Sequence, residues 1–377
     1  MRINPSEYLY NASPEELEAI RTKPGITSDG KSFDWYVQEE VRRGRLRREC
    51  IRPDVLGLNR PLEIFRAVRK TNLIKPWPAL DDADTYCPAH WADLAIGCGA
   101  CGFRCRACFL TLTHRIKCDP SCPVVYENVE DYQVATRLWL MMPDRRNLGM
   151  GIDSNDSLLY EGVTGHVRRL APLFASPKTN PQGCKLVLLT KSTNMRYLEK
   201  VPPENILTTF SLNPEAVADL WEGKFSDGTR VTPTIAERLN ASLRAQEMGF
   251  EVRWRIDPVI PCEGWQDIYA TFLSAAVRDG HKPTRITLGT YRETQPALRA
   301  FSRLWGLPAM EWEPSGLEHD GAHYHLPKHQ RMEIYSHLLS TIRAAWYGVG
   351  APVVALCKEP RDLRRELGLD HNMCNCG

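Results

Sequence analysis

The chain has 377 residues, 43% of them hydrophobic and 25% charged, with 48 Lys and Arg against 46 Asp and Glu. This is the composition of a globular protein with a large core, and the near-neutral charge neither demands nor excludes a nucleic-acid partner. The first thirty residues lack the basic start and apolar core of a signal peptide, and no apolar run approaches the roughly 18 to 20 residues of a membrane-spanning helix. We therefore expect a soluble, cytoplasmic protein with no membrane partner.

The first element in chain order is a polar extension, residues 1–85, which we predict to be helical. Ser13 followed three residues later by Glu16 is a capping-box pattern, which is typical of a helix start. Positions 42–48 hold five arginines, which we expect on a solvated helix face. A contact with DNA phosphate is the alternative.

Residues 86–300 alternate short apolar runs with longer amphipathic ones, which indicates an α/β fold with a parallel sheet or barrel. The candidate strands are Leu94–Ile96, Leu186–Thr190, Ile206–Ser211, Val252–Ile256 and Arg285–Leu288. The clearest candidate helices are Glu130–Met142, Met195–Lys200, Pro233–Met248 and Trp265–Arg278. Residues 301–377 are predicted to be a helix-rich, substrate-contacting region with a polar loop at Glu318–His325 and a Cys-x-Cys end.

The cysteines point to a metal site. There are thirteen of them, and clustered thiols in an intracellular chain indicate metal or redox chemistry. Cys101, Cys105 and Cys108 have the CxxxCxxC spacing, with which one loop can hold three irons of a [4Fe-4S] cluster. The fourth iron stays open, and there S-adenosylmethionine (SAM) can bind and be split to a 5′-deoxyadenosyl radical.

Two other interpretations of the cysteines stay open. Cys98 and Cys101 form a pair that zinc could use, and the loop thiols could also be reduced and unligated. Near the chain end, Cys357, Cys374 and Cys376 could bind a second cluster or a zinc ion, or form a flexible thiol pair.

Five ordered segments resemble spore photoproduct lyase, a radical SAM enzyme that reverses a thymine dimer in DNA. They are Leu189–Ser192, Phe210–Asn213, the run from Asp227 to Gly249, Arg255–Pro258 and Ile286–Thr290. The resemblance covers residues 94–300 and reaches the tail at Val354–Glu359. It implies an incomplete (β/α)6 TIM-type barrel, DNA with a modified thymine as partner, an external electron donor of the flavodoxin or ferredoxin type, and a monomer.

The resemblance also implies a SAM site. Lys191 and Ser211 match family residues that contact SAM, since a lysine can neutralise its carboxylate and a hydroxyl can accept or donate a hydrogen bond. The loop Gly149–Ser154 lies where the family holds the SAM amino group, through carbonyls that glycine exposes. The predicted cofactor-binding residues are Gly149, Gly151, Ser154, Lys191, Ser211 and Asn213.

This chain departs from the family at its hydrogen-transfer residues. Asp153 stands where the lyase has a hydrogen-donating cysteine, and Ala107 and Phe109 flank the third cluster cysteine where the lyase has tyrosines. We therefore expect a reaction that needs no such relay, as in phage relatives that hypermodify thymine. There an isomerase would convert glycine linked to the thymine methyl carbon through nitrogen into a carbon-linked form.

The predicted catalytic residues are Asp153, Arg255 and Asp257. Arg255, together with Arg253, Arg292 or Tyr291, is expected to hold the carboxylate of the added amino acid, and Asp153 or Asp257 its amine; a structural pairing of buried arginine with an acid is the alternative. Two other functions remain: dimer repair with Cys118 or Cys122 as hydrogen donor, and a non-catalytic, zinc-stabilised protein that binds nucleic acid.

Overall fold

A computed structural model describes residues 33–76, 91–98, 101–105, 108, 123–143, 147–152, 154–224, 227–293, 312, 314–319, 324–370 and 374–375. The catalytic candidate Asp153 and the donor candidates Cys118 and Cys122 lie outside these residues, as do Ala107, Phe109 and Cys376. No helix in the described ranges combines the length and apolarity needed to cross a lipid bilayer.

The N-terminal region is built around a small sheet. Helix α1 (Phe33–Arg42) and the short helix α2 (Pro53–Leu56) flank strands β1 (Leu46–Ile51) and β2 (Leu62–Ala67). β1 and β2 pair antiparallel, and the sheet continues through β6 (Val124–Tyr126) to β5 (Gly97–Cys98), the strand that leads into the cysteine loop. The prediction of a helical extension is therefore wrong for residues 46–51 and 62–67, which form strands.

The arginine-rich run was also assigned to the wrong element. Its first arginine ends α1, Gly44 adopts a φ of +68° that terminates the helix, and the remaining part enters β1. Arg42 and Arg43 both pair with Glu39, and Arg45 pairs with Glu40. Because neighbouring acids neutralise part of this run, it is not a uniformly basic helix face.

The main sheet has eight strands in the order β15-β11-β10-β9-β8-β7-β4-β3. All neighbours from β4 to β15 are parallel, and only β3 pairs antiparallel. The strands are β3 (Ile74–Pro76), β4 (Ala92–Leu94), β7 (Leu148–Met150), β8 (Leu186–Thr190), β9 (Ile206–Ser211), β10 (Glu251–Val259), β11 (Arg285–Thr290) and β15 (Val353–Leu356). The predicted parallel α/β architecture is confirmed, with neighbouring strands in chain order as in a partial TIM-type barrel.

Helices follow most of these strands and cover one face of the sheet. They are α3 (Val129–Met141), α4 (Glu161–Thr164), α5 (His166–Ala175), a 3₁₀ turn (Met195–Leu198), α6 (Glu215–Trp221), α7 (Ile235–Glu247), α8 (Trp265–Arg278), α9 (Lys328–Ala345) and α10 (Arg361–Glu366). Alternate strand residues such as Leu186, Leu188 and Trp254 join the large core with these helices. Because successive side chains point to opposite faces, the intervening residues face the barrel interior.

The C-terminal region is part of the barrel rather than a separate helical tail. β15 adds a seventh parallel strand beside β11. The predicted polar loop at 318–325 contains β13 (Glu318–His319) and β14 (Tyr324–His325), which pair with each other, and β14 also pairs with β12 (Arg292–Glu293).

The last described residues enter the barrel interior. Cys374 packs with Trp91, Ile152, Val187 and Leu207. The carbonyl of Cys374 accepts a hydrogen bond from Arg285 (3.0 Å) and that of Asn375 one from Arg253 (3.2 Å). The chain end therefore fills the lumen below the carboxyl ends of the strands.

Candidate functional site

The three motif cysteines lie at one buried hydrophobic cluster, which also includes residues of the small sheet. Cys105 is part of a buried cluster with Phe103, Leu159 and Tyr160, and Cys101 and Cys108 pack against the same cluster. Two backbone hydrogen bonds between residues three apart fold the loop. They run from the Arg104 N–H to the Cys101 carbonyl (3.0 Å) and from the Cys108 N–H to the Cys105 carbonyl (3.2 Å). The loop therefore keeps the three cysteines near one another, close enough for Cys105 and Cys108 to act electrostatically on Cys101.

Gly102 makes this close packing feasible. A Cβ atom there would lie 2.4 Å from Leu62 and 2.7 Å from the Tyr160 hydroxyl. That hydroxyl also accepts the Gly102 N–H at 3.1 Å. Only a residue without a side chain fits between the cysteine loop and its support.

Burial controls the protonation of the thiols. It raises the pKa of Cys105 to about 12, although the charge of Lys191 acts in the opposite direction. Burial, reinforced by the carboxylate of Asp156, raises the pKa of Cys101 well above its usual range. Both thiols are therefore protonated at neutral pH unless a metal binds, and metal binding must release their protons.

The loop after β7 is organised by Asp156, a residue that sequence reasoning missed. Its carboxylate accepts hydrogen bonds from the Thr190 hydroxyl (2.7 Å), from the Lys191 N–H (2.7 Å) and from the N–H groups of Leu158 and Leu159 (3.0 Å each). Burial nevertheless raises its pKa. Asp156 thus ties the end of β8 to the loop that follows β7. The sequence signal for this role was the second aspartate of the polar run Asp-Ser-Asn-Asp-Ser at 153–157.

The predicted SAM loop has a different shape from the one expected. Gly149 lies within β7, where a Cβ atom would come within 2.8 Å of Ile152 and 2.9 Å of Asp93. Gly151 forms the turn with a φ of +69°, and its carbonyl accepts the N–H groups of Ser154 (3.0 Å) and Asn155 (2.6 Å). Both glycines therefore serve packing and turn formation.

Lys191 and Ser211, two of the predicted SAM-binding residues, lie next to each other. The Lys191 ammonium donates to the Ser211 hydroxyl at 2.9 Å and to the Glu222 carboxylate at 2.7 Å. Arg238 donates to both carboxylate oxygens of Glu222, and the Glu222 and Arg238 side chains are fully buried. Burial alone would raise the pKa of Glu222, but the charges of Arg238 and Lys191 outweigh it and hold the pKa far below its usual range.

Lys191, Arg238 and Glu222 together carry one net positive charge, so the group as a whole can attract an anion. Sequence reasoning missed Glu222 because its partners are distant in sequence: Lys191 follows β8, Thr232 precedes α7 and Arg238 lies in α7. Asn213, also a predicted cofactor residue, is fully engaged by the protein: its amide accepts the Tyr269 hydroxyl at 2.9 Å and donates to the Pro258 carbonyl at 3.2 Å.

A second charged group lies at the carboxyl ends of β10, β11 and β15. One oxygen of Asp257 accepts hydrogen bonds from Arg255 (2.9 and 2.6 Å) and from Arg292 (2.7 Å). Both guanidiniums also reach the Cys357 sulfur, at 3.3 and 3.6 Å. Burial would raise the pKa of Asp257, but the two arginines hold it far below its usual range.

The other predicted carboxylate-binding residues are engaged elsewhere. Arg253 pairs with Glu251 at 2.8 Å besides holding the chain end. Tyr291 is buried, with its ring edge-on to Trp221 and Trp312 at 5.7 and 5.1 Å between centroids. Of the substrate-side candidates that the structure describes, Arg255, Asp257 and Arg292 therefore form one group.

The residues fit a cluster and SAM at this edge of the barrel. The three cysteines pack on one buried cluster, and the charges of Lys191, Glu222 and Arg238 act on Cys105. The buried Ser154 hydroxyl has no hydrogen-bond partner among the described residues, as expected of a group that awaits a ligand. In those same residues, no three His, Cys, Asp or Glu side chains are arranged to ligate a single metal ion.

Comparisons with known proteins agree with this architecture. No protein-family model and no curated protein matches the chain. Solved structures of spore photoproduct lyase do. A cysteine-to-alanine mutant with dinucleoside spore photoproduct has a TM-score of 0.58 at 17% identity, over 77% of this chain and 80% of that one. A double mutant with bound AdoMet and the same dinucleoside has a TM-score of 0.56 at 17% identity, over 73% and 79%. At this identity the likeness concerns the fold.

Proposed function

We propose that this protein is a radical SAM enzyme that acts on a thymine derivative in DNA. The observation that carries the proposal is that Cys101, Cys105 and Cys108 pack on one buried cluster, with Cys105 close enough to Lys191 for the lysine charge to act on its thiol. In the proposed enzyme the three thiolates hold a [4Fe-4S] cluster. When bound, the cluster and SAM supply a 5′-deoxyadenosyl radical, and the protein supplies binding and orientation.

The residues around Lys191 have a defined role in this proposal. Lys191 holds the SAM carboxylate, and the surplus positive charge that it shares with Arg238 and Glu222 favours such an anion. Ser211 and the unpartnered Ser154 hydroxyl provide further hydrogen bonds. Asp156 holds the loop after β7 in place, and Gly149, Gly151 and Asn213 shape the walls of the site.

The reaction that we propose is an isomerisation, in which glycine on the thymine methyl carbon changes from nitrogen linkage to carbon linkage. Hydrogen leaves the glycine α carbon, the thyminylmethyl group migrates from nitrogen to that carbon, and hydrogen returns. Arg255 and Asp257 lie at the strand ends on the substrate side, and Asp153 is the third candidate. This reaction suits a chain that has Asp153 in place of a donor cysteine.

Anaerobic reconstitution with iron and sulfide tests the cofactor. We expect about four irons and four sulfides per protein, and 5′-deoxyadenosine after reduction in the presence of SAM. A variant with alanine at all three motif cysteines should lose both, whereas Cys184→Ala, which removes a buried thiol of the main core, should keep both. Stoichiometric zinc without iron would instead support a nucleic-acid-binding protein without catalysis.

Repair of a thymine dimer is the second candidate, because the structures of similar fold include spore photoproduct lyase with its dinucleoside photoproduct. Incubation of the reduced protein with dimer-containing DNA separates the two reactions. Restored thymine would support repair and end the isomerase proposal. Rearrangement of a glycine-bearing thymine, with the dimer left intact, would support the isomerase.

A further inference from the structure

The group formed by Arg255, Asp257, Arg292 and Cys357 is built to present two guanidiniums together. The side chains of Arg255 and Arg292 are 18% and 16% exposed, whereas Asp257 is 6% exposed. The carboxylate is therefore more deeply buried than the two guanidiniums, which are partly exposed to solvent. Arg292 is held further by its own hydrogen bond to the Thr290 carbonyl at 3.2 Å.

The charges of this group favour an anionic ligand. Two arginines and one aspartate carry one net positive charge, and both guanidiniums meet on a single carboxylate oxygen. The mutual attraction keeps the pKa of Asp257 low and that of Arg292 above its ordinary value, so all three charges persist across the neutral range. A guanidinium donates in a planar fork that matches carboxylate and phosphate oxygens.

The other charged residues near this group are bound to protein partners, which limits the side chains that can bind the anionic ligand. Arg253, two residues earlier on the same strand, holds Glu251 and the Asn375 carbonyl. Glu359, two residues after Cys357, is bound by Arg331, Tyr335 and Thr290 and is buried. The ligand-binding side chains are therefore Arg255 and Arg292.

We propose that Arg255 and Arg292 form a subsite for a single oxyanion of the substrate, and that Asp257 and Cys357 are positioning residues that hold the two guanidiniums side by side. This inference rests on the proposed function and adds the class of substrate group that the site recognises. The oxyanion belongs either to a carboxylate on the thymine substituent or to a phosphodiester of the DNA. Cys357, which touches both arginines, is a local reporter of occupancy.

Binding of two small probes tests the subsite. The first is 5-carboxymethyl-2′-deoxyuridine, with its methyl ester as the uncharged match, and the second is thymidylyl-(3′→5′)-thymidine. Equilibrium dialysis is done with the wild type, Arg292→Met and, as matched control, Arg253→Met. Iodoacetamide labelling of Cys357, followed by mass spectrometry, is measured with and without each probe. If Arg292→Met does not fold, Arg292→Lys replaces it in both measurements.

We expect Arg292→Met to weaken binding of an oxyanion probe at least tenfold, since a hydrogen bond to a charged group typically gives that much. Arg253→Met should leave the affinity unchanged, and the bound probe should slow Cys357 labelling in the wild type. A loss confined to the carboxylate probe assigns the oxyanion to the base, and a loss confined to the dinucleotide assigns it to the DNA backbone. Either supports the subsite.

Equal affinity of wild type and Arg292→Met for both probes would overturn the subsite, as would a methyl ester that binds as well as the acid. So would no measurable binding of either probe. Iron content and SAM cleavage are measured on the same samples. A subsite that fails in protein with intact SAM cleavage refutes this inference alone, whereas absent iron with intact probe binding refutes only the proposed function.

Discussion

At the scale of single residues, two groups of buried charges are each partly compensated and keep one surplus positive charge. Glu222 is shared by Lys191 and Arg238, and Asp257 is shared by Arg255 and Arg292. A fully neutralised pair would have little affinity for an anion, and an isolated buried cation would be costly. The two groups therefore combine a stable apo protein with attraction for anionic groups of ligands.

Replacing Lys191 by methionine tests the first of these groups. Lys191→Met should weaken SAM binding to the iron-loaded protein by about tenfold or more, because it removes the charge next to the proposed carboxylate. Lys185→Met is the matched control, since Lys185 precedes the same strand but pairs with Glu251 at 2.8 Å. Equilibrium dialysis with labelled SAM measures the effect, and equal affinities would contradict the role of Lys191.

His166 predicts a defined pH dependence of stability. It is buried at the start of α5, edge-on to Tyr132, and burial lowers its pKa to about 4. The unfolded chain takes up a proton near pH 6.5, whereas the folded protein resists protonation until about pH 4. Its contribution is therefore fully present above pH 6.5 and decreases as the pH falls from 6.5 towards 4, by about 3 kcal/mol at most.

Urea unfolding of His166→Phe at pH 7 and pH 4.5 measures this contribution. The variant should lose less unfolding free energy between the two pH values than the wild type does, because phenylalanine cannot be protonated. His329→Phe, which changes an exposed histidine in the first turn of α9, is the matched control and should keep the acid slope of the wild type. An acid slope in His166→Phe as steep as that of the wild type would refute the assignment.

At the scale of elements, α7 links helix capping to the charged site. Thr234 and Glu237 form a capping box at its start, and Arg238, one residue later, reaches Glu222. Thr234→Ala should lower the unfolding free energy by about 1 kcal/mol, because the first turn loses a hydrogen-bond acceptor. Ser340→Ala, an exposed change within α9, should stay within about 0.5 kcal/mol of the wild type. Urea denaturation measures both free energies of unfolding. A Thr234→Ala variant as stable as the wild type would contradict the importance of the cap.

Element prediction succeeded where burial and periodicity agree. The bounds of β8 and β9 match the predicted strands, because both are apolar or β-branched runs that are buried almost throughout. It failed in β1, where Arg47, Arg48 and Glu49 conceal a strand whose stability comes from pairing with β2.

In the site, the cysteine spacing and the candidates Lys191 and Ser211 could be found from the sequence. Glu222 and the contact of Cys357 with Arg255 and Arg292 were not predictable, because these residues are distant in sequence and only the fold brings them together.

At the scale of the whole molecule, described segments on both sides of the central region contribute to the fold. The small N-terminal sheet supports the cysteine loop through Leu62 and Ile64. At the other end, β15 extends the parallel sheet, and residues 374–375 occupy the lumen. The proposed site therefore depends on residues outside 86–300, the range in which the sequence resemblance is concentrated.

The contacts of the chain end lead to a prediction about the whole molecule. The Asn375 side chain donates to the Trp254 carbonyl at 2.8 Å, and its N–H donates to the Thr287 hydroxyl at 3.0 Å. Removal of residues 371–377 takes away these bonds and the carbonyls that accept from Arg253 and Arg285, leaving buried polar groups without partners. Each such group costs about 1–3 kcal/mol, so the truncated protein should unfold several degrees lower.

Thermal unfolding of the truncated chain is compared with that of a chain lacking only Gly377, which should melt like the wild type. Far-UV circular dichroism should show that the truncated protein keeps its secondary structure at low temperature, because the strands and helices up to residue 370 have their own core. Asn375→Ala alone should give a smaller decrease of the same sign. A truncated protein that melts with the full chain would mean that the lumen contacts add nothing to stability, and that the barrel interior is closed by its strand residues alone.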